Sequence, residues 1–440
     1  MHEEDRALTL AQAALAAAGG ADQAQVSVSI TDASYARFAE NYVTQNLDAQ
    51  QTTISLTYYL GKRSGTVTSA DTTAAGIARI VAQAKAIAQR VPPDNRFISL
   101  PKPQPYATPV PNYFASTADA TPDERVEKLL PVFARMRAAK ITCSGFTTTQ
   151  IATTAIANSL GVRAASTGTI CGLQVKAMAA ATSGYAESYG LDYATIDPAA
   201  VAERAASKAI VSATPADLAP GRYTVVLEPS AFQAAVKALL EGTDAQDVLD
   251  DQDSWMIGRI GKPLFSPNFT LRSDWSNPLL ANAPFDPADG TPLTTFAFVD
   301  RGVPRAYSVS TYLGNKFHVP ITGVANSMVI DPGTTSREEL IASVERGVLI
   351  SRTWYERVVN PRDASITGIT RDGVYLIENG KLTRALKNFR YFVSMVEMMK
   401  DVEFSNRSVL AEPDDDLGYS CVLPDAKIAN FYLAAQTSYA

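Results

Sequence analysis

Zinc binding and proton transfer near neutral pH fall most often to histidine, and this chain of 440 residues has only two, His2 and His318. A two-histidine zinc helix therefore cannot be assembled locally. His318 sits in GNKFHVPITG and reads as an ordinary loop histidine bonded to backbone or water. The three cysteines, Cys143, Cys171 and Cys421, are far apart, odd in number and never in a CxxC arrangement. Neither a disulfide framework nor a thiolate zinc site is suggested, and a reducing compartment fits. The run EGTDAQDVLDDQDSW gathers Asp244, Asp247, Asp250, Asp251 and Asp253. It lacks the glycine and closing glutamate of an EF-hand loop, so it reads as a solvated polar face, as does PDDDLG at Pro413. GxSxG, P-loop and GxGxxG patterns are absent. Arg352, Trp354 and Tyr355 form the most conspicuous polar-aromatic cluster. In a strand, residues two apart share a face and the next takes the other, which favours a core-plus-rim role over ligand contact.

That cluster belongs to a stretch around which the chain is organised, Gly347 to Arg390. Asp372-Gly373 and Asn379-Gly380 each offer the positive-φ pair of a tight hairpin turn between runs rich in Val, Ile, Tyr and Thr. The expected result is a three-stranded meander, 364–371, 374–378 and 382–387. Upstream, PGTTSREELIASVERG predicts a helix with Ser336 and Glu339 at capping-box spacing and Gly347 at its end.

The rest alternates between sheet and helix. Gln25 to Thr68 reads as strands, with ARFAENYVTQN continuing one of them and a turn at Gly61 to Gly65. Asp71 is expected to cap a helix to about Arg90 with Ile77, Ile80, Val81 and Ala84 inward. A proline-rich connection follows from Pro92 to Pro111. The next helix opens with Thr121, Pro122 and Glu124 and faces inward with Val126, Leu129, Leu130 and Phe133. Ile141 to Tyr189 returns to strands broken at Asn158 to Gly161 and at Ser183-Gly184, and Asp197-Pro198 opens a helix to about Val211. After Pro220, RYTVVLEP is a strong strand. Ser230 and Gln233 form a second capping box for a helix from Ala231 to Glu241, TTFAFVDRGVPRAYSVS is a hairpin turning at Asp300 to Gly302, and a further helix is expected near Met395. The fold class is α+β in two domains: residues 1–220 an antiparallel sheet with covering helices, and residues 221–440 a β-rich domain with a few helices.

Composition narrows the function. A single core seldom grows past about 250 to 300 residues, so two are expected. A net charge of −6, a pI near 5.2 and the lack of any basic run argue against a nucleic-acid surface. No run reaches the roughly 18 apolar residues that cross a bilayer. The apolar segment Ala7 to Ala18 follows Glu3, Glu4 and Asp5 instead of basic residues, so a surface helix is expected there and not a signal peptide.

WYERVVNPRDASITGITRDGVYLIENGKL closely resembles the C-terminal signature of the TldD/PmbA family, within it the PmbA (TldE) branch. RFAENYVTQN, IANSLGV, PGRYTVVLEPSA, FDPADG and PDAKIANF agree with the family in the same order, so the resemblance covers nearly the whole chain. It implies a cytoplasmic protein that works with a TldD-type metalloprotease subunit on peptides or unfolded polypeptides. In TldD-type chains one helix carries H-E-x-x-x-H, whose histidines bind zinc and whose glutamate activates water. Anchored on Leu240 to Gly242, the histidine positions fall here on Gln233 and Ala238 and the glutamate position on Ala234. The resemblance thus implies no zinc in this chain, zinc in the partner subunit, and a non-catalytic role. Cys421 lies too near the terminal strand for the family's third ligand and reads as a spectator thiol. Thr322, Gly323 and Asn326 resemble the family's Thr-Gly-Asn segment and, with Arg352, Trp354 and Tyr355, are candidate contacts for substrate or partner. The isolated chain is left open to homodimerisation, and a stand-alone peptide-binding or regulatory protein, of the kind once labelled a gyrase modulator, is the alternative.

Overall fold

A computed structural model describes residues 3–325, 327–412 and 420–437. His2, Asn326 and the acidic PDDDLG run lie outside the described residues.

The first half of the chain is one antiparallel sheet of six strands: β1 (Gln23–Ala39), β2 (Tyr42–Leu60), β3 (Arg63–Ser69), β4 (Thr142–Asn158), β5 (Arg163–Met178) and β6 (Ser183–Gly190), in the order β3-β2-β1-β4-β5-β6. The segment ARFAENYVTQN does not continue as a strand. Glu40 and Asn41 both take positive φ, 50° and 65°, and fold β1 back on β2. Asparagine is among the few residues that enter this region readily.

Helices α1 (Glu3–Ala17) and α2 (Ala74–Arg90) cover one part of this sheet. Ala7, Ala11 and Ala14 line the inner face of α1 with no exposed surface, and such small side chains let helix and strands approach closely. The cap of α2 is Thr73, whose hydroxyl accepts the Gly76 N–H at 3.1 Å. Asp71, the expected cap, instead accepts the Thr73 N–H and pairs with Arg79 at 2.5 Å.

Short helix α3 (Ala115–Ala118) precedes α4 (Pro122–Glu127) and α5 (Leu130–Ala138). The Thr121/Glu124 capping box forms as expected. Because the helix breaks between Glu127 and Leu130, the inward face is rephased to Leu129, Val132, Phe133 and Met136, and Leu130 is 55% exposed. Helix α6 (Pro198–Ala209), capped by Asp197, packs on β5 and β6.

The second half is dominated by strands. In chain order these are β7 (Gly221–Leu227), β8 (Leu271–Ser273), β9 (Phe296–Asp300), β10 (Val303–Pro304), β11 (Ser327–Ile330), β12 (Arg346–Asn360), β13 (Ser365–Glu378), β14 (Lys381–Ala385) and β15 (Phe389–Ser394). The last are β16 (Val402–Phe404), β17 (Val409–Leu410), β18 (Ser420–Leu423) and β19 (Ala426–Gln436). Strands β12, β7, β19, β15 and β13 pair in succession, and β13 pairs with β12 again, so this sheet closes on itself. A smaller sheet runs β10-β9-β8-β11-β18-β17. Helix α7 (Pro229–Leu240) packs on β7, β12, β13 and β18. Helices α8 (Thr311–Phe317), α9 (Arg337–Ala342) and α10 (Met395–Met398) are short.

The two Gly dipeptides behave differently. Asn379-Gly380 turns β13 into β14 with φ of 49° and 74°. Asp372-Gly373 does not turn the chain: β13 runs through it, paired with β12 on both sides of a register shift. Its positive φ values, 56° and 147°, accommodate a bulge instead. That bulge buries Asp372 and brings it to Lys176 of β5 at 2.5 Å, tying the two halves together. The Ser336/Glu339 capping box of α9 forms, but the helix ends at Ala342 and Gly347 lies inside β12.

Candidate functional site: helix α7 beside a charged cavity

Helix α7 starts one residue past β7, with Pro229 in its first turn. Its cap is Glu228, which makes no capping bond, and the expected Ser230/Gln233 box is absent. The Glu228 carboxylate is engaged elsewhere. The helix buries Ala231, Phe232, Gln233, Ala235, Val236, Ala238 and Leu239. Gln233 donates its carboxamide N–H to the carbonyl oxygen of Glu412 at 3.1 Å, and Ala238 has no exposed surface. A zinc ion needs deprotonated nitrogen, sulfur or carboxylate donors. An amide turned to a backbone carbonyl and the methyl groups of Ala234 and Ala238 do not fit it. Among the described residues no three His, Cys, Asp or Glu side chains converge as a metal site.

At the N-terminal end of α7 a cavity of about 370 Å³ opens between the two halves of the chain. Glu228, 8% exposed, is its hub. It accepts from Lys208 of α6 at 2.5 and 2.7 Å and from Arg337 of α9. Arg337 also lies 3.5 Å from Asp425. Burial would raise the Glu228 pKa, but the charges of Arg337 and Lys208 outweigh it and hold the carboxyl below its usual range. Burial pushes Lys208 down against the pull of Glu228. The pair stays ionised at neutral pH, and its loss of solvation is compensated only because both members are multiply bonded.

The outer edge of β6 faces this junction. Its carbonyls at Ser183, Tyr185 and Glu187 are each taken by a side chain: the Tyr375 hydroxyl at 2.6 Å, Lys208 Nζ at 2.7 Å and an Arg204 N–H at 2.8 Å. Alternate residues of a strand present their carbonyls to the same side, so three side chains do the work of a neighbouring strand. This edge is closed to an added peptide strand.

Next to it lies the aromatic cluster. Arg352 sits over the Tyr185 ring at 5.1 Å and the Trp354 ring at 5.8 Å, and its guanidinium is 3.4 Å from the Glu412 carboxylate. Arg352 and Trp354 share a face as the strand spacing predicts. Trp354 and Tyr355 are not core, however, being 45% and 64% exposed. Tyr355 takes φ 59° where β12 shifts register, so both aromatic rings stand at the surface. Glu187 accepts from the Tyr185 hydroxyl at 2.5 Å. Burial, followed by the nearby Glu412 charge, pushes its pKa up to about 7.

The remaining candidates do not line this cavity. Thr322 accepts from the Val309 N–H and donates to the Tyr307 carbonyl, and Gly323 pairs with Val309 at φ 112°. His318 ends α8 in a left-handed conformation. Cys421 is buried in β18. The Asp244 to Asp253 run surrounds a helical turn, where burial and Asp244 push Asp247 up to about 6 and Asp250 pairs with Lys316. Glu187, Arg204, Lys208, Glu228, Arg337 and Asp425 were not foreseen. They are scattered over more than half of the chain, and no local spacing joins them.

The sequence matches three family models: PmbA/TldA metallopeptidase domain 1 over residues 24–88, the central domain over 116–213 and the C-terminal domain over 220–435. The first two supply three strands each to the single N-terminal sheet and meet where β1 pairs with β4. No curated protein matches the sequence at a significant level. Among solved structures, the fold is similar to TldE from Thermococcus kodakarensis, with a TM-score of 0.84 at 18% identity over 97% of this chain and 99% of that one. It is also similar to a proposed modulator of DNA gyrase from Bacteroides thetaiotaomicron, at 0.81 and 18% identity over 98% and 99%. A third, a proposed gyrase modulator from Thermotoga maritima, scores 0.79 at 17% identity over 98% and 99%. With its length spanned by the three family segments in order, the chain belongs to the PmbA/TldD metallopeptidase family.

Proposed function

We propose that this chain is the non-catalytic, TldE-like subunit of a heteromeric zinc metalloprotease that cleaves peptides or unfolded polypeptides in the cytoplasm. The observation that carries this reading is the state of α7. Gln233 is bonded to the Glu412 backbone and Ala238 is packed without exposed surface, so the helix is a finished structural element with no donors to hold a metal. Zinc and the water-activating carboxylate are then the partner's to supply. This chain contributes walls: the exposed Trp354 and Tyr355, and the charged cavity at the start of α7. Such a subunit assists by completing a chamber, excluding water and ordering the partner's loops.

Recovery of the tagged chain from its native cells tests the pairing. The expected eluate contains, in a fixed ratio, a second chain with an H-E-x-x-x-H helix. Recovery of the chain alone or only as a homodimer, under conditions where both genes are expressed, would overturn the heteromeric reading.

A further inference from the structure

The cavity beside α7 holds hydrogen-bond donors that its own acceptors do not use. Of its acids, Glu228 is bonded by Lys208 and Arg337 and Glu187 by Tyr185; Asp425 is bonded by Ser405 through one oxygen while the other lies 3.5 Å from Arg337 without a hydrogen bond, and Glu338 stands at the exposed rim. Lys208 and Arg337 are thereby ion-paired, but Arg204 and Arg407 are in no ion pair among the described residues. Arg204, half-buried, gives one N–H to the Glu187 carbonyl and has no carboxylate within 4.0 Å among the described residues. Arg407, exposed at the mouth, has no ion pair or side-chain hydrogen bond among them. Glu228 attracts Arg204 from beyond ion-pair distance, while Arg337 and Arg407 act on it as like charges. Ser230, in the first turn of α7, also lines the cavity, and the helix dipole favours an anion there.

Two guanidiniums without an ion-pair partner among the described residues, beside a helix N-terminus, favour one kind of ligand, a compact anion with planar acceptor geometry. The volume, about 370 Å³, exceeds what one carboxylate fills and falls at the lower end of the range for small-ligand sites. Val409 and Leu410 add an apolar wall that suits a side chain next to the charged end. We propose that this cavity binds the terminal α-carboxylate of a peptide, held by Arg204 and Arg407. The choice of a peptide as the carrier of the carboxylate rests on the function proposed above. Since β6 is closed by side chains, the peptide enters by its end and not as an added strand.

Binding to the isolated full-length chain tests this without the partner, so a failed pairing experiment leaves it standing. The probes are N-acetyl-tetraalanine as the free acid, the same peptide as its C-terminal amide, and inorganic phosphate, measured by calorimetry or backbone amide shifts. The free acid should bind saturably and the amide at least tenfold more weakly. Arg407→Gln should weaken acid binding roughly ten- to a hundredfold, the worth of a charged hydrogen bond, with an unchanged melting curve because Arg407 is exposed. Equal affinity for acid and amide, no binding of either, binding of phosphate alone, or full affinity in Arg407→Gln would each overturn the assignment.

Discussion

Gln233 and Glu412 are joined by a 3.1 Å hydrogen bond from carboxamide to backbone carbonyl, and the Glu412 side chain lies 3.4 Å from Arg352. One residue thus links α7 to the aromatic cluster on β12. Gln233 is held as part of the fold. Undoing that should cost stability before it confers chemistry.

Ala238→His places a bulky polar ring where no surface is exposed, and overpacking of this kind costs about 1–3 kcal/mol. A lower urea midpoint is expected, with no gain of stoichiometric zinc even when Gln233→His and Ala234→Glu are added. An unchanged midpoint would mean that this face of α7 is not packed as described.

Glu187 sets a pH dependence. Its folded pKa, about 7, lies above the unfolded value, so the folded state binds more protons between roughly pH 4.5 and 7. Its contribution is intact below that window and is lost as pH rises through 7. Glu187→Gln should flatten this part of the stability profile, by on the order of 1–3 kcal/mol across the window. Parallel urea titrations at pH 5 and pH 8 measure it, and identical slopes in the two proteins would contradict the assignment.

The exposed Trp354 and Tyr355 make an interface prediction. Trp354 lies between Arg352 and Arg371, 5.8 and 4.6 Å from its ring, and Arg357 covers Tyr355 at 4.6 Å. Aromatic and arginine side chains of this kind often dominate binding energy. Replacing both aromatics by alanine should leave stability within about 1 kcal/mol while weakening association with the zinc-bearing chain more than about tenfold. Sedimentation of the mixed chains reads this, and undiminished association would remove the pair from the interface.

Limited proteolysis reports on the architecture. Residues 92–114 carry no helix or strand, and 213–220 join the two halves. Either should be cut before 347–390, whose strands lie within the closed sheet, because cleavage follows exposed and weakly bonded backbone. Early products ending inside β12 or β13 would contradict the pairing found there.

Local chemistry was well written in the sequence and long-range chemistry was not. The Thr121/Glu124 and Ser336/Glu339 boxes and the Asn379-Gly380 turn need only residues within a few positions of one another, and all three form. Asp372-Gly373 has the same dipeptide chemistry but lies opposite a β12 long enough to pair on both sides of it, so tertiary pairing converts a turn into a bulge. Asp71 loses its cap to Thr73 by a shift of two residues. The cavity was invisible because Lys208, Glu228, Arg337 and Asp425 come from four separate elements, and a charge in isolation reads as surface. The aromatic cluster was legible in its spacing. Its exposure was not, since the bulge at Tyr355 depends on the partner strand.

The central claim is that the metal and its chemistry belong to a partner and not to this chain. Metal content by atomic emission, together with cleavage of an unfolded peptide, should be measured on this chain alone, on the H-E-x-x-x-H chain alone and on their mixture. The account predicts no stoichiometric zinc and no hydrolysis for this chain alone, and zinc with chelator-sensitive hydrolysis for the mixture. Stoichiometric zinc with chelator-sensitive hydrolysis in this chain alone would contradict it.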